Sequence, residues 1–124
     1  MKQENIQYFT EKEEEFTNLL IDIGTKKNIA KVLVFLAGTP EATSRAIDRG
    51  TDLRQPEVSL AMKYLMDLGW IKCRENRSEK KGRPTKVYEL AKPIHEIMSS
   101  IENEKKKETN NQLALLGKLR DYIS

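Results

Sequence analysis

Cysteine and histidine are nearly absent from this chain of 124 residues, which contains one of each, Cys73 and His95. A lone cysteine cannot form an internal disulfide, and these two residues do not provide the four ligands of a structural zinc site. We therefore expect no disulfide, no bound metal and a reducing, cytoplasmic location. We assign no role to His95.

Long apolar runs are also absent. No run approaches the roughly 18 residues that a membrane span needs, and the first residues, MKQENIQYF, form no apolar signal stretch. No nucleophile–base pair, glycine-rich phosphate loop or paired carboxylate site appears, so we expect neither an enzyme nor a cofactor. The high charged fraction, 33%, beside 38% hydrophobic residues is typical of a soluble, helix-rich domain and argues against a disordered chain.

Positive charge is concentrated in the middle of the chain. Residues 1–24 carry a net charge of −4, residues 25–92 carry +7, and residues 93–124 are neutral. This asymmetry predicts one anion-binding surface on a body that otherwise faces water or a second copy of itself. Chance clustering of solubilising charges is the alternative.

Caps and apolar spacing predict two helices in the first part of the chain. The first begins near Thr10, an N-cap candidate followed by acidic residues, and ends at Gly24. It carries one apolar stripe, formed by Phe16, Leu19, Leu20 and Ile23. The second helix spans about 26–37 and is nearly apolar after its first turn, which predicts a position in the middle of the core.

Two further helices are predicted before residue 70. Thr39-Pro40-Glu41 has the form of a helix start, so we expect a short helix over about 40–49 that ends at Gly50. A fourth helix is predicted over about 55–68, and Pro56 suits its first turn. Its core-facing stripe is formed by Val58, Met62, Leu65 and Leu68.

A charged β-hairpin follows. Residues 70–74 and 86–90 alternate in the manner of strands around a long polar loop. Residues 72–86 hold seven basic and only two acidic side chains. Alternation places Cys73 on the same face as Ile71, toward the core, which favours a buried and inert thiol over a redox sensor.

The last helix is predicted to start at Pro93. Four apolar residues lie on its first face: Ile94, Ile97, Met98 and Ile101. Polar residues 102–111 interrupt this stripe, and residues 105–108 are a candidate bend. The stripe resumes with Leu113, Leu116, Leu119, Tyr122 and Ile123.

Residues 58–71, VSLAMKYLMDLGWI, resemble the recognition-helix pattern V-S-x-x-L-x-x-L-x-x-x-G-hydrophobic-hydrophobic of winged-helix regulators. Ile47, Leu53 and Val58 resemble the apolar anchors that lock the first helix of the motif against the second. Downstream, Gly82-Arg83-Pro84 followed by Tyr88 and Leu90 resembles the wing of MarR-like and TrmB-like prokaryotic, especially archaeal, regulators.

The resemblance covers roughly residues 25–92. It implies a mainly α fold with a small β-hairpin, a winged helix-turn-helix flanked by N-terminal and C-terminal dimerisation helices. The chain then divides into an N-terminal helix at 1–24, a winged-helix DNA-binding domain at 25–92 and a C-terminal helix at 93–124. The function implied is sequence-specific binding of double-stranded DNA by a homodimeric transcriptional regulator.

The residue chemistry of the fourth helix points the same way. If its apolar stripe faces the core, its opposite face meets base edges in the major groove, where glutamine can bond adenine and Leu60 can pack on a thymine methyl. The basic wing at 72–86 would lie on the phosphate backbone, with Arg83 in the minor groove. The predicted DNA-binding residues are Arg54, Gln55, Glu57, Ser59, Leu60, Lys63 and Tyr64 of the helix, and Arg77, Lys80, Lys81, Arg83 and Lys86 of the wing.

The terminal helices carry apolar stripes that a winged helix alone does not need. In the regulators that the sequence resembles, the corresponding helices pair two subunits. The candidates for this dimer interface are Phe16, Leu19, Ile94, Ile97, Met98, Ile101, Leu113, Leu116 and Leu119. Packing of the tail on its own domain is the alternative.

Two other functions remain open at this point. A winged helix can serve as a protein–protein interaction module of the transcription machinery, although such modules usually lack a basic wing together with polar residues on the recognition helix. A ligand-sensing regulator is compatible with DNA binding, but no convergent polar cluster in the sequence marks a pocket for a small-molecule effector.

Overall fold

The computed structural model describes residues 10–76 and 85–124. Within these ranges the elements follow the order α1 (Glu11–Asp22), α2 (Lys27–Ala37), α3 (Ser44–Thr51), α4 (Gln55–Asp67), β1 (Ile71–Asn76), β2 (Thr85–Leu90) and α5 (Ile94–Ile123). The predicted order of four helices, a hairpin and a long helix is confirmed. The chain divides into two compact units, Met1–Lys92 and Pro93–Ser124.

Helix α1 begins where the sequence predicts. The Thr10 hydroxyl accepts from the Glu13 amide at 3.1 Å, and the Glu13 carboxylate accepts from the Thr10 amide at 2.9 Å. This reciprocal cap satisfies two amides that the first turn leaves unpaired. Thr17 and Leu20 are buried on the face that packs against α2, while Leu19 is exposed.

Helix α2 lies in the middle of the core, as its composition predicts. Its residues from Val32 to Leu36 are all buried, and it packs against α1, α3 and α4. Ile47 of α3 and both Val58 and Leu65 of α4 are fully buried as well. The three helices α2, α3 and α4 therefore share one apolar core, and burial of each such side chain contributes about 1.5–3 kcal/mol.

The predicted start of α3 is wrong. The helix begins at Ser44 rather than Pro40, and the Thr43 hydroxyl caps it by accepting from the Ala46 amide at 3.2 Å. The preceding segment is extended because Ala42 pairs with Tyr88, with N–O distances of 2.8 and 3.0 Å. A tertiary contact with the hairpin thus overrides the local helix signal at Pro40.

The end of α3 also lies beyond its predicted position. Gly50 is inside the helix, which ends with Asp52 in the left-handed conformation at φ 59°. Gly50 is required by packing, since a Cβ at this position would collide with the aromatic ring of Phe35. The glycine allows α3 to approach α2 closely.

Replacing Gly50 with alanine should therefore lower the free energy of unfolding by about 1–3 kcal/mol, because the buried Phe35 ring must move. Urea unfolding followed by the fluorescence of Trp70 measures this. Gly117→Ala is the matched control, since a Cβ at Gly117 meets open space in α5. Equal midpoints for the two variants would show that α2 and α3 are not packed as described.

Helix α4 starts at Gln55 with Pro56 in its first turn, as predicted. Val58, Met62 and Leu65 of the predicted stripe are buried, but Leu68 is 41% exposed, so its assignment to the core is wrong. Leu68 is the C-cap residue, where the chain leaves the helix for the turn at Gly69, φ 78°. Ala61, one turn after Val58, is buried on the core-facing side instead.

The hairpin is antiparallel and runs in register from Ile71 opposite Leu90 to Asn76 opposite Thr85. Cys73 is exposed, which corrects the prediction of a buried thiol. Alternation does place Cys73 on the face of Ile71, but only Ile71 in β1 is buried. After its first residue the strand extends past the core, and at Cys73 this face carries the cross-strand neighbour Tyr88 but remains exposed to solvent.

Helix α5 runs without interruption from Ile94 to Ile123, so the expected bend at 105–108 is wrong. Charges of the polar stretch pair within the helix, Lys105 with Glu108 at 3.3 Å and Lys106 with Glu102 at 3.0 Å, and each such pair stabilises a helix by about 0.2–0.5 kcal/mol. None of the helices in the described ranges is long and apolar enough to cross a membrane.

Candidate nucleic-acid interface

The first turn of α4 is fixed by its own side chains. The Arg54 amide donates to the Glu57 carboxylate at 2.9 Å, which caps the helix. An acidic residue here also interacts favourably with the positive end of the helix dipole. Glu57, one of the predicted DNA-binding residues, therefore has a structural role at the helix start, while the Arg54 side chain is exposed beside it.

Gln55 joins α4 to α3. Its side-chain amide lies 3.3 Å from the Ser44 hydroxyl. With its nitrogen toward α3, the amide donates to the Asp48 carboxylate, 3.2 Å from Oδ1, and accepts from Ser44. Sequence reasoning missed Ser44 and Asp48 because it started α3 four residues too early. Taking Thr43 as the N-cap would have placed Ser44 in the first turn.

The outward face of α4 presents four of the predicted residues to solvent: Ser59, Leu60, Lys63 and Tyr64. Leu60 is 71% exposed, an unusual position for a leucine on a helix whose other face is fully packed. Leu60 and Tyr64 line an open groove of about 320 Å³ together with Lys26, Lys27 and Ile29 at the start of α2. These two lysines are not among the predicted DNA-binding residues, although both belong to the positively charged middle segment.

The hairpin divides the predicted wing residues into two groups. Lys86 lies in β2, exposed and opposite Glu75. The other four, Arg77, Lys80, Lys81 and Arg83, lie outside the described residues. At the base of the hairpin, Lys72 and Arg74 are paired with carboxylates rather than free: Lys72 with Glu89 at 3.7 Å, and Arg74 with Glu89 at 3.5 Å and with Glu41.

Tyr88 is at the centre of this hairpin base. Its partial burial raises the pKa of its phenol, and the charge and hydrogen bond of Cys73 on the opposite strand raise that pKa further. The folded pKa thus lies above the unfolded value of about 10. The resulting contribution to stability is complete below that pH and is lost as the pH rises through the folded pKa.

The predicted dimer residues fall into three groups by exposure. Ile97 and Ile101 are buried in the single chain, and Phe16, Ile94 and Met98 are half-buried. Leu19, Leu113, Leu116 and Leu119 are exposed. Within residues 10–76 and 85–124, exposed large apolar side chains are most numerous at the end of α5, where six are 56–89% exposed: Leu113, Leu115, Leu116, Leu119, Tyr122 and Ile123. We call these six residues the α5 patch.

Among the residues that the structure describes, no three His, Cys, Asp or Glu side chains are grouped so as to hold a metal ion. The candidate site consists of the exposed face of α4, the neighbouring groove with Lys26 and Lys27, and the hairpin. Its chemistry is that of recognition surfaces, which combine hydrogen-bonding, apolar and cationic groups.

Helix α3, the turn after it and helix α4 form a helix-turn-helix, and the antiparallel hairpin that follows α4 completes a winged helix-turn-helix fold. Several solved protein structures have this winged helix-turn-helix fold. One, described as a possible transcriptional regulator from Methanosarcina mazei Go1, has a TM-score of 0.54 and 15% identity, over 81% of this chain and 80% of that one.

Two MarR-family regulators have the same fold. The one from Neisseria meningitidis has a TM-score of 0.50 and 20% identity, over 89% of this chain and 84% of its own. The one from Silicibacter pomeroyi has a TM-score of 0.51 and 13% identity, over 90% and 81%. No protein-family model and no curated protein matches the sequence. The predicted fold class, a mainly α winged helix-turn-helix with a small β-hairpin, is confirmed.

Proposed function

We propose that this protein is a sequence-specific, double-stranded-DNA-binding transcriptional regulator that acts as a homodimer. The observation that carries the proposal is the face of α4 opposite the core. It combines a hydroxyl, a cation and two exposed apolar side chains, Ser59, Lys63, Leu60 and Tyr64. These are groups that read base edges and thymine methyls in a major groove.

The way α4 is attached to its neighbours supports a role for this helix in recognising DNA bases. The helix is capped at Arg54 and held to α3 through Gln55, so its first two turns have a fixed orientation. Reading of base edges needs such rigidity, because a hydrogen-bonding group displaced by an ångström no longer reaches its base. The structures with this fold are described as transcriptional regulators, which agrees with the proposal.

Charge supports a nucleic acid as the partner. The net charge of +7 in residues 25–92 belongs to the same segment as α4 and the hairpin. Lys26 and Lys27 flank the groove beside Leu60 and Tyr64, so cations lie next to the reading face. Affinity for duplex DNA comes largely from such contacts with phosphates.

The homodimer is supported by the α5 patch. Six exposed apolar side chains within eleven residues are costly in water, and a second copy of the chain would cover them. A symmetric dimer presents two copies of α4 to the DNA, which matches a palindromic site.

The wing offers the first test. Replacing Lys80, Lys81 and Arg83 together with alanine should weaken binding to all duplex sequences, because three cations expected on the phosphate backbone or in the minor groove are lost. It should also reduce the slope of log affinity against log salt by about 2–3 per subunit. Fluorescence anisotropy with a labelled duplex at several salt concentrations measures both effects. An unchanged salt slope would remove the wing from the proposed interface.

A further inference from the structure

The base of the hairpin holds a cluster of four charged residues joined by ion pairs. The Arg74 guanidinium of β1 contacts the carboxylate of Glu41 through Nη2 and that of Glu89 through Nε, the latter at 3.5 Å. Lys72 contacts the same Glu89 carboxylate at 3.7 Å. We call Glu41, Arg74 and Glu89 the hairpin clamp.

The clamp joins three separate segments of the chain. Ala42 pairs with Tyr88 in antiparallel sense, so Glu41 and Glu89 are neighbours across that bridge. Two carboxylates in such positions repel each other. Arg74 reaches across β2 to contact both, and a guanidinium can bond two carboxylates at once because its five donors form a planar fork. The arginine therefore holds β1, β2 and the segment before α3 together.

The clamp differs from an isolated surface ion pair because one cation is shared by two carboxylates. The side chains of Arg74 and Glu41 are 47 and 40% exposed, and that of Glu89 is half-buried at 22%. Charges that form a network stabilise a fold more than isolated pairs on the surface. Because Arg74 forms ion pairs with both carboxylates, we assign it a structural role rather than a contact with DNA.

We propose that Glu41 is a positioning residue for DNA binding: through Arg74 it sets the direction of the hairpin relative to the helix-turn-helix. This inference rests on the proposed function. The segment that carries Glu41 leads directly into α3, which in turn holds Gln55 of α4. The clamp thus couples the two DNA-contacting elements, α4 and the hairpin, through one short connection.

The proposal is tested by whether one substitution, Glu41→Gln, raises or lowers the affinity for duplex DNA. Removing a negative charge from a DNA-binding protein ordinarily strengthens its binding, because repulsion from the phosphates falls. Glu41→Gln should instead weaken duplex binding by about three- to tenfold, the effect of losing one charge-assisted pair. Glu75→Gln is the matched control: it removes a carboxylate from the same hairpin, opposite Lys86, and should leave affinity unchanged or raise it. Tighter binding by Glu41→Gln would overturn the proposal.

Combined substitutions test whether Glu41 affects DNA affinity through the hairpin. In a chain that already lacks the cations at 80, 81 and 83, Glu41→Gln should change affinity by less than about twofold, because its effect passes through the wing. An undiminished effect in that background would mean that Glu41 acts elsewhere, and would also overturn the proposal.

Amide hydrogen exchange in the absence of DNA measures how much the clamp stabilises the hairpin. Glu41→Gln should speed exchange of the amides in β1 and β2 by about fivefold and leave those of α2 unchanged. Unchanged exchange in the hairpin would contradict the clamp even if the protein bound no duplex at all. Failure of wild-type protein to bind duplex DNA, with faster hairpin exchange in the variant, would refute the proposed function and leave the clamp as a structural device.

Discussion

Replacing Ser59 or Leu60 with alanine is expected to cost about 1–3 kcal/mol of binding free energy on the preferred duplex, or roughly 5- to 150-fold in affinity, and to leave non-specific binding nearly unchanged. Both side chains are exposed, so their loss should not affect folding. Competition binding with preferred and scrambled duplexes measures the difference.

Leu68→Ala provides the control for these two variants. Leu68 is also an exposed leucine, but it caps the opposite end of α4, away from the residues that would meet the bases. Gln55 is a less suitable position, since its amide also holds α4 to α3. If the Ser59 and Leu60 variants keep the wild-type preference, the outward face of α4 does not read the DNA.

Removing residues 102–124 is expected to leave a folded protein that dimerises poorly. The buried residues of the described chain all precede residue 102, so the truncation leaves the core intact. It removes the whole α5 patch. Affinity for a full palindromic site should fall by about 100-fold or more, because the two subunits no longer bind as one unit, while half-site affinity should change little.

A full-length variant separates loss of the patch from loss of the helix. Leu116→Gln combined with Leu119→Gln keeps the length and charge of α5 and should weaken the dimer in the same direction. Sedimentation equilibrium measures both proteins. A wild-type chain that is monomeric at about 50 micromolar would contradict the homodimer. So weak a dimer would be little populated at the lower concentrations of a regulator in a cell.

Helix starts that are marked by capping residues or by a proline within a few positions were predicted correctly from the sequence. Thr10 and Glu13 form a complete cap within four residues, and Pro56 favours a helix start, so α1 and α4 begin as predicted. The start of α3 could not be found in this way, because Thr39-Pro40 and Thr43 are both acceptable helix starts. The pairing of Ala42 with Tyr88, 46 positions later in the chain, decides between them.

The candidate site was predictable only in part. The periodicity of α4 gives its buried face, and from that the exposure of Leu60 follows. Contacts between side chains on different elements, such as Gln55 with Asp48 or Arg74 with Glu41, depend on packing angles that periodicity does not contain. Cys73 shows the same limit of pattern reasoning: alternation identifies the face of a strand but not how far the core extends beneath it.

Selection of bound sequences from a random pool of duplex DNA tests the central claim most directly. The account predicts enrichment of one motif, an inverted repeat whose half-sites are spaced by about one helical turn or a multiple of it, since two copies of α4 would be related by two-fold symmetry. Recovery of the unenriched pool, or no retention of duplex DNA even at low salt, would contradict it. The alternative, a winged helix that serves as a protein–protein interaction module, would then be favoured.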